Sequence, residues 1–257
     1  NGWIELQKSS ANPSISDGNG NYTLEGAKYG IYKGDKLIQT LTTDKNGYAK
    51  SKELEEGSYT VKEISAPAGF IVDATAHDVN VKPEETSTVK SSDIPQNNPI
   101  SLILQKLDLE TGEGKPQGNS SLANAEFTIK FYTELSDTDP ATSGKKPVRT
   151  WVMKTNASGE MHFTKDYFVS GDEFYYASDK KTVCLPIGTV TIQETKAPKN
   201  YFLNETVFVQ KITGSGSQES VSIYNASNVE EQVYRGGVKV QKRDLETQDT
   251  VSQGNAT

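Results

Sequence analysis

Three residue types with complementary chemistry recur at matching places in this 257-residue chain: a lysine, a glutamate, and an aspartate or asparagine. Lys8 ends the run Ile4-Glu5-Leu6-Gln7-Lys8, and Lys106 ends Leu102-Ile103-Leu104-Gln105-Lys106. Glu63 closes Tyr59-Thr60-Val61-Lys62-Glu63, and Glu194 closes Val190-Thr191-Ile192-Gln193-Glu194. Late in each half come Val89-Lys90-Ser91-Ser92-Asp93 and Val221-Ser222-Ile223-Tyr224-Asn225. Alternate residues of a strand share a face, so each run aims its final polar residue along the stripe meant for a core. A buried charge without a partner is prohibitive, and the three groups of each half are therefore expected to meet. The plainer alternative lets each polar residue end its strand and bend into solvent. Repetition of the whole triad weighs against it.

Burial also suggests what the groups do. An apolar pocket disfavours charge and is expected to push lysine towards the neutral amine and glutamate towards the protonated acid. A neutral amine can attack the side-chain carbonyl of Asp or Asn. Glutamate can polarise that carbonyl and pass protons to the departing water or ammonia. Holding the groups in contact supplies the effective molarity that free amine and amide lack.

The elements that position these groups are legible as repeats. From Lys8 the match to Lys106 runs without a gap to Leu24-Glu25-Gly26-Ala27-Lys28-Tyr29, answered by Leu122-Ala123-Asn124-Ala125-Glu126-Phe127. A third copy of the lysine run is Val238-Lys239-Val240-Gln241-Lys242, and Asp108-Leu109-Glu110-Thr111 returns as Asp244-Leu245-Glu246-Thr247. Gly57 to Pro67 corresponds to Gly188 to Pro198, each followed by an aromatic, Phe70 or Tyr201. Polar turns with glycine, Asp44-Lys45-Asn46-Gly47 and Asn156-Ala157-Ser158-Gly159, precede these glutamate runs. The spacing predicts units over 1–98 and 99–232, with 233–257 as the first strand of a truncated third. Extra residues of the second unit are expected in polar loops around 136–147 and 165–181. Short alternating runs bounded by Gly, Asn, Asp and Pro, without helical periodicity, read as all-β sandwiches of roughly 100 residues.

Composition excludes several function classes. A net charge of -7 argues against a nucleic-acid or anionic-membrane partner. No apolar run approaches the roughly 20 residues of a membrane span, so no insertion is expected in this fragment. Asn1-Gly2-Trp3-Ile4-Glu5 reads as folded-domain sequence rather than a signal peptide. A single cysteine, Cys184, permits no intrachain disulfide and reads as a small buried side chain. Neither His77 nor His162 lies in a motif that would support a nucleophile, which argues against a hydrolase. Leu185-Pro186-Ile187-Gly188-Thr189 is not read as a sorting signal, because its last two residues are inverted and no apolar tail follows. Asp17, Asn19 and Asn21 alternate like the start of a calcium loop, but Lys28 stands at the closing position. No metal or cofactor is expected.

The lysine strand, the box with glutamate three residues before Ala-Pro (Glu63 before Ala66-Pro67, Glu194 before Ala197-Pro198) and the late Asp or Asn together resemble Cna B-type domains, including SpaA-type repeats, of Gram-positive pilins and adhesins. The resemblance covers essentially the whole chain. It implies tandem reverse-immunoglobulin, prealbumin-like sandwiches, each with a self-formed isopeptide bond between first and last strands. Carried over residue by residue, Lys8, Glu63 and Asp93 form one site and Lys106, Glu194 and Asn225 the other. The glutamates are the catalytic members; Asn97 and Asn98 stay open as alternative acceptors to Asp93. Such bonds would close loops of 85 and 119 residues, stabilising each fold by about 4–5 kcal/mol on chain-entropy grounds. The implied role is a stalk module at the Gram-positive cell surface or cell wall, self-cross-linking once rather than turning over as an enzyme. Its expected partners are neighbouring repeats, with other pilin subunits or a host surface ligand as further possibilities. The alternative is a ligand-binding adhesin module using the second unit's loops, where Tyr167, Phe168, Phe174, Tyr175 and Tyr176 gather. Lys242 lacks a glutamate box and an acceptor strand of its own and is expected to stay unmodified.

Overall fold

The structure, a computed structural model, describes residues 1–100, 102–214 and 227–231, with Leu102 and the last five described by their backbone. The first unit contains β1 (Trp3–Ser10), the one-turn helix α1 (Pro13–Ser16), β2 (Lys28–Lys33), β3 (Lys36–Thr42) and β4 (Tyr48–Lys50). It continues with β5 (Gly57–Ser65), β6 (Ala76–Val81) and β7 (Thr86–Asp93). Two sheets result, ordered β4-β1-β7 and β3-β2-β5-β6. Burial follows the alternation of the sequence: Ile4, Leu6 and Lys8 of β1, Tyr59, Val61 and Glu63 of β5, and Val89, Ser91 and Asp93 of β7 all face inward. The apolar members form one core with Tyr29 and Ile31 of β2. β1 and β7 are parallel neighbours, with Leu6 opposite Val89, Lys8 opposite Ser91 and Ser10 opposite Asp93.

A short strand, β8 (Asn97–Pro99), leads into the second unit. There follow β9 (Leu102–Asp108), β10 (Glu126–Tyr132), β11 (Arg149–Lys154), β12 (Glu160–His162), β13 (Phe168–Gly171) and β14 (Tyr175–Tyr176). The last elements are β15 (Val183–Pro186), β16 (Gly188–Lys196), β17 (Val207–Ile212) and β18 (Ser227–Glu231). The sheets are ordered β13-β11-β10-β16-β17 and β12-β9-β18, with β14-β15-β8 alongside. The stretch expected as a polar loop around 165–181 thus contains two short strands, because β13 adds to β11 and β14 pairs with β15. The other stretch, around 136–147, contains a 3-10 turn at Pro140–Ser143. β18 is parallel to β9, as β7 is to β1. The third repeat, 233–257, lies outside the described residues.

The two units share a joint. Asn98 of β8 pairs with Leu185 and Pro99 with Cys184 of β15, so the connecting segment is a strand of the second unit's sheet. Ile15, Tyr22, Phe70 and Ile100 pack into the same apolar cluster as Leu185, Ile187 and Phe174. The Tyr22 hydroxyl donates to the Gln96 carbonyl at 2.6 Å and accepts the Ile187 N–H at 2.9 Å. Asn19 Nδ2 donates to the Ile187 carbonyl at 2.8 Å, and Asn21 Nδ2 to the Thr133 carbonyl at 2.6 Å. These asparagines, whose alternation resembled a calcium loop, are occupied in holding the second unit.

Candidate functional site

Lys8 enters the first unit's core on β1, Glu63 on β5 and Asp93 on β7, each as the last inward residue of its run. All three side chains are fully buried. Lys8 Nζ donates to Glu63 Oε1 at 2.9 Å and to the Tyr29 hydroxyl at 2.8 Å. It also lies 2.5 Å from Asp93 Oδ1. That approach is close but poorly directed, and neither Asp93 carboxyl oxygen makes a well-aligned hydrogen bond. The Tyr29 and Ser91 hydroxyls are 2.8 Å apart.

The electrostatics correct one expectation. Burial does oppose charge on Lys8, but the close Asp93 carboxyl and the hydrogen bonds to Tyr29 and Glu63 outweigh that penalty, and the net shift of its pKa is upward. Three oxygen acceptors around one ammonium stabilise the charged form more than desolvation destabilises it. The group moved towards neutrality is Asp93: burial pushes its pKa up to about 7 against the lowering pull of Lys8, and the nearby Glu63 charge adds to the rise. The acceptor can thus hold the proton that makes its hydroxyl a leaving group.

In the second unit Lys106 Nζ lies 2.6 Å from Glu194 Oε1, both side chains being essentially buried. Phe127 takes the place of Tyr29, each opposite its glutamate in the adjacent strand, and the Lys106 nitrogen stands 5.6 Å from the Phe127 ring centroid. Asn225 lies outside the described residues, as does the run Val221 to Asn225. The described strand parallel to β9 is β18, in which Val229 pairs with Lys106 and Glu231 with Asp108. In the first unit the corresponding positions are Ser91 and Asp93. Asn97 and Asn98, the alternative acceptors, belong to β8 and pair with Pro186 and Leu185 of the second unit.

Several supporting residues escaped the sequence reading. Glu63 Oε2 accepts the backbone N–H of Asp73 at 2.7 Å, and Glu194 Oε2 that of Asn204 at 2.8 Å. Gly47 and Gly159, at φ of 74° and 76°, lie against β1 and β9. Each carbonyl accepts the backbone N–H of its lysine, at 2.8 Å for Lys8 and 2.7 Å for Lys106. A Cβ on either glycine would collide with that lysine's carbonyl oxygen. Asp108 is buried two residues beyond Lys106, where it accepts from the Tyr201 hydroxyl at 2.9 Å and Gln117 Nε2 at 2.7 Å. Its backbone bonds from Glu110 and Thr111 fold the following turn, which gives the repeated Asp-Leu-Glu-Thr run a structural purpose. Cys184 is buried, and burial pushes its thiol up to about 12, far from a reactive thiolate.

A model of the SpaA prealbumin-like fold domain matches residues 14–95 and 115–227. Over 70 residues the chain is 40% identical to the trypsin-resistant surface T6 protein of Streptococcus pyogenes serotype M6, covering 27% of this chain and 13% of that protein. Among solved structures it is similar to the Bacillus anthracis TIE protein, with a TM-score of 0.58 and 25% identity over 90% of this chain and 34% of that one. It is also similar to a C-terminal fragment of the pilus adhesin SpaC from Lactobacillus rhamnosus GG, with a TM-score of 0.48 and 14% identity over 93% of this chain and 100% of that one. The chain therefore spans about an eighth of the T6 protein and about a third of the TIE protein.

Proposed function

The chain belongs to the family of SpaA prealbumin-like fold domains, and from that premise we propose that it is a stalk module of a Gram-positive surface pilin or adhesin, each sandwich locked by a self-formed isopeptide bond. The observation that carries this reading is the buried meeting of Lys8, Glu63 and Asp93 on parallel first and last strands, with the nucleophile's nitrogen 2.5 Å from the acceptor's carboxyl. Lys8 gives one proton to Glu63, and the neutral amine attacks Asp93 Cγ. The N–C bond forms as the carbonyl electrons move to oxygen; their return expels the hydroxyl, which leaves as water. Of the three protons on Lys8 and the one on Asp93, one stays on the amide, two depart in water and one remains on Glu63. Glutamate serves as base and then as the acid that polarises the carbonyl. The step happens once per site, so the module is not an enzyme in the turnover sense.

The second bond joins Lys106 to Asn225 with Glu194 as its acid–base, releasing ammonia. The buried Lys106–Glu194 contact supports it. The bond requires Ile223 opposite Lys106, six positions from the pairing in which Val229 stands there. The mass lost tells the two arrangements apart.

A stalk at the cell surface would load its modules through these strands. Because β1 and β7 are parallel, tension entering one and leaving the other shears the pair, and the amide bridges it. The alternative, ligand capture by the second unit's aromatic loops, has less support. Phe174 and Tyr175 are buried and pack edge-on or tilted against Trp151, Phe163 and Phe131. Tyr167, Phe168 and Tyr176 are partly buried against the same core.

Intact-mass spectrometry under denaturing conditions tests the proposal. The expected loss is one water plus one ammonia relative to the sequence. Full sequence mass overturns both bonds; loss of water alone removes the Lys106–Asn225 bond and keeps the first.

A further inference from the structure

We propose that Tyr29 is a positioning residue for bond closure in the first unit, holding the Lys8 amine beside Asp93 once Lys8 has given up its proton. The inference rests on the cross-link reading above and adds to it a group outside the Lys–Glu–Asp triad.

The argument starts from what happens to the lysine after proton transfer. In the ground state two N–H bonds of Lys8 are directed at Glu63 Oε1 and the Tyr29 hydroxyl. When Glu63 takes a proton, the ion pair that held the nitrogen disappears. Tyr29 is neutral throughout, since burial pushes its hydroxyl up to about 12. It can still accept an N–H from the amine, more weakly than from the ammonium because the charge assistance is gone. One N–H fixed on Tyr29 restricts rotation about the Cε–Nζ bond and keeps the new lone pair near Asp93 Cγ. Misdirection of a nucleophile by about 1 Å can cost about a hundredfold in rate, which is the scale of effect such a contact can have.

The hydroxyl is itself held. It lies 2.8 Å from Ser91 Oγ, within hydrogen-bond distance whichever of the two hydroxyls donates. Ser91 sits on the acceptor strand, directly opposite Lys8 and two residues before Asp93. Nucleophile, holder and acceptor strand are thereby tied into one buried chain of hydrogen bonds, in which each bond orients the next. The second unit has Phe127 at the place of Tyr29, without a hydroxyl, so the device belongs to the first site. An aromatic in a strand needs only its ring to fill a core. The hydroxyl here bonds to the reacting nitrogen itself.

The full chain, made by cell-free translation and quenched in denaturant at intervals, provides the test. Each sample is weighed intact and digested, and protease resistance before quenching reports folding separately. Tyr29→Phe should slow loss of water from the Lys8–Asp93 pair by about ten- to a hundredfold. Folding and the second unit's loss of ammonia should keep their usual pace. A purely structural Tyr29 would delay folding and closure together, and that result overturns the inference. So does closure at the wild-type rate. If Tyr29→Phe fails to fold, Ser91→Ala keeps the ring and frees only the hydroxyl. A slowed closure with normal folding then supports the proposal, and unchanged closure overturns it. Absence of any water loss in the wild-type chain removes the cross-link reading and this inference with it, whereas normal closure in both variants removes this inference alone.

Discussion

The backbone N–H of Asp73 donates to Glu63 Oε2 at 2.7 Å, from a position ten residues further along the chain. Asn204 makes the same bond to Glu194 Oε2 at 2.8 Å, also from ten residues on. One carboxyl oxygen of each glutamate is thus fixed by main chain, and the other, Oε1, is turned onto the lysine. A carboxylate anchored on one side can exchange a proton on the other without swinging away, as a general base in a closed pocket must.

Replacing either glutamate should therefore stop one bond and spare the other. Glu63→Ala is expected to retain the mass of one water, and Glu194→Ala that of one ammonia. The affected sandwich should fold but lose about 4–5 kcal/mol of loop-closure stabilisation, read as a lower melting midpoint and faster proteolysis. Variants that kept the full mass loss would withdraw the acid–base role from these glutamates.

Closure in the first unit should slow as pH rises through about 7. Burial holds the Asp93 pKa up to about 7, and only the protonated acid can release its hydroxyl as water. The same shift acts on stability before closure. The fold keeps that proton up to about 7, whereas an unfolded Asp releases it near 4, so stability falls between about pH 4 and about pH 7. Denaturant titrations of Glu63→Gln, which cannot close, should show this decline. The wild type, in which the proposed bond would remove Asp93 from titration, should not. Equal slopes for the two proteins would contradict the assignment.

Gly47→Ala and Gly159→Ala should each destabilise their unit by about 1–3 kcal/mol through backbone strain at positive φ. A second effect is specific to the site. The new methyl collides with the carbonyl of Lys8 or Lys106 and displaces the reactive strand. Time-resolved mass analysis should find closure slowed in the altered unit alone. Destabilisation with closure at full speed would mean that these turns do not set the lysine's place.

Tyr22→Phe should loosen the joint without touching either triad. The change leaves the Ile187 N–H and the Gln96 carbonyl without their buried partner, at a cost of about 1–3 kcal/mol. Hydrogen exchange at Ile187 should quicken by the matching factor while both mass losses stay complete. Unchanged protection there would show that the hydroxyl contributes nothing to the joint.

The strand framework and the Lys8–Glu63–Asp93 meeting were legible because alternation is rigid: a charged residue in phase with Ile4 and Leu6 has nowhere to point but inward. Tyr29 and Ser91 were not, since an aromatic or a small residue in a strand satisfies the pattern whatever its hydroxyl does. The direction of the Lys8 shift was misjudged because burial can be read from phase, whereas the number of acceptors converging from β2, β5 and β7 is known only once those strands are placed. Likewise β13 and β14 hid within the stretch around 165–181, read as a polar loop although residues 168–171 and 175–176 pair with neighbouring strands. Asn19 and Asn21 alternated like the start of a calcium loop, which Lys28 already spoke against, but nothing in the sequence showed that a second sandwich stood against them.

Tyr22 spans the joint with one oxygen, giving to Gln96 on the connecting segment and taking from Ile187 in the second unit. With β8 laced into the sheet beyond and Asn19 and Asn21 bonded across, rotation of one sandwich about the long axis is blocked from several sides. The azimuth between the units is then a property of the sequence rather than of thermal motion. A loop on the first unit and a loop on the second keep a constant angle and separation, and a third body touching both meets them as a single composite face.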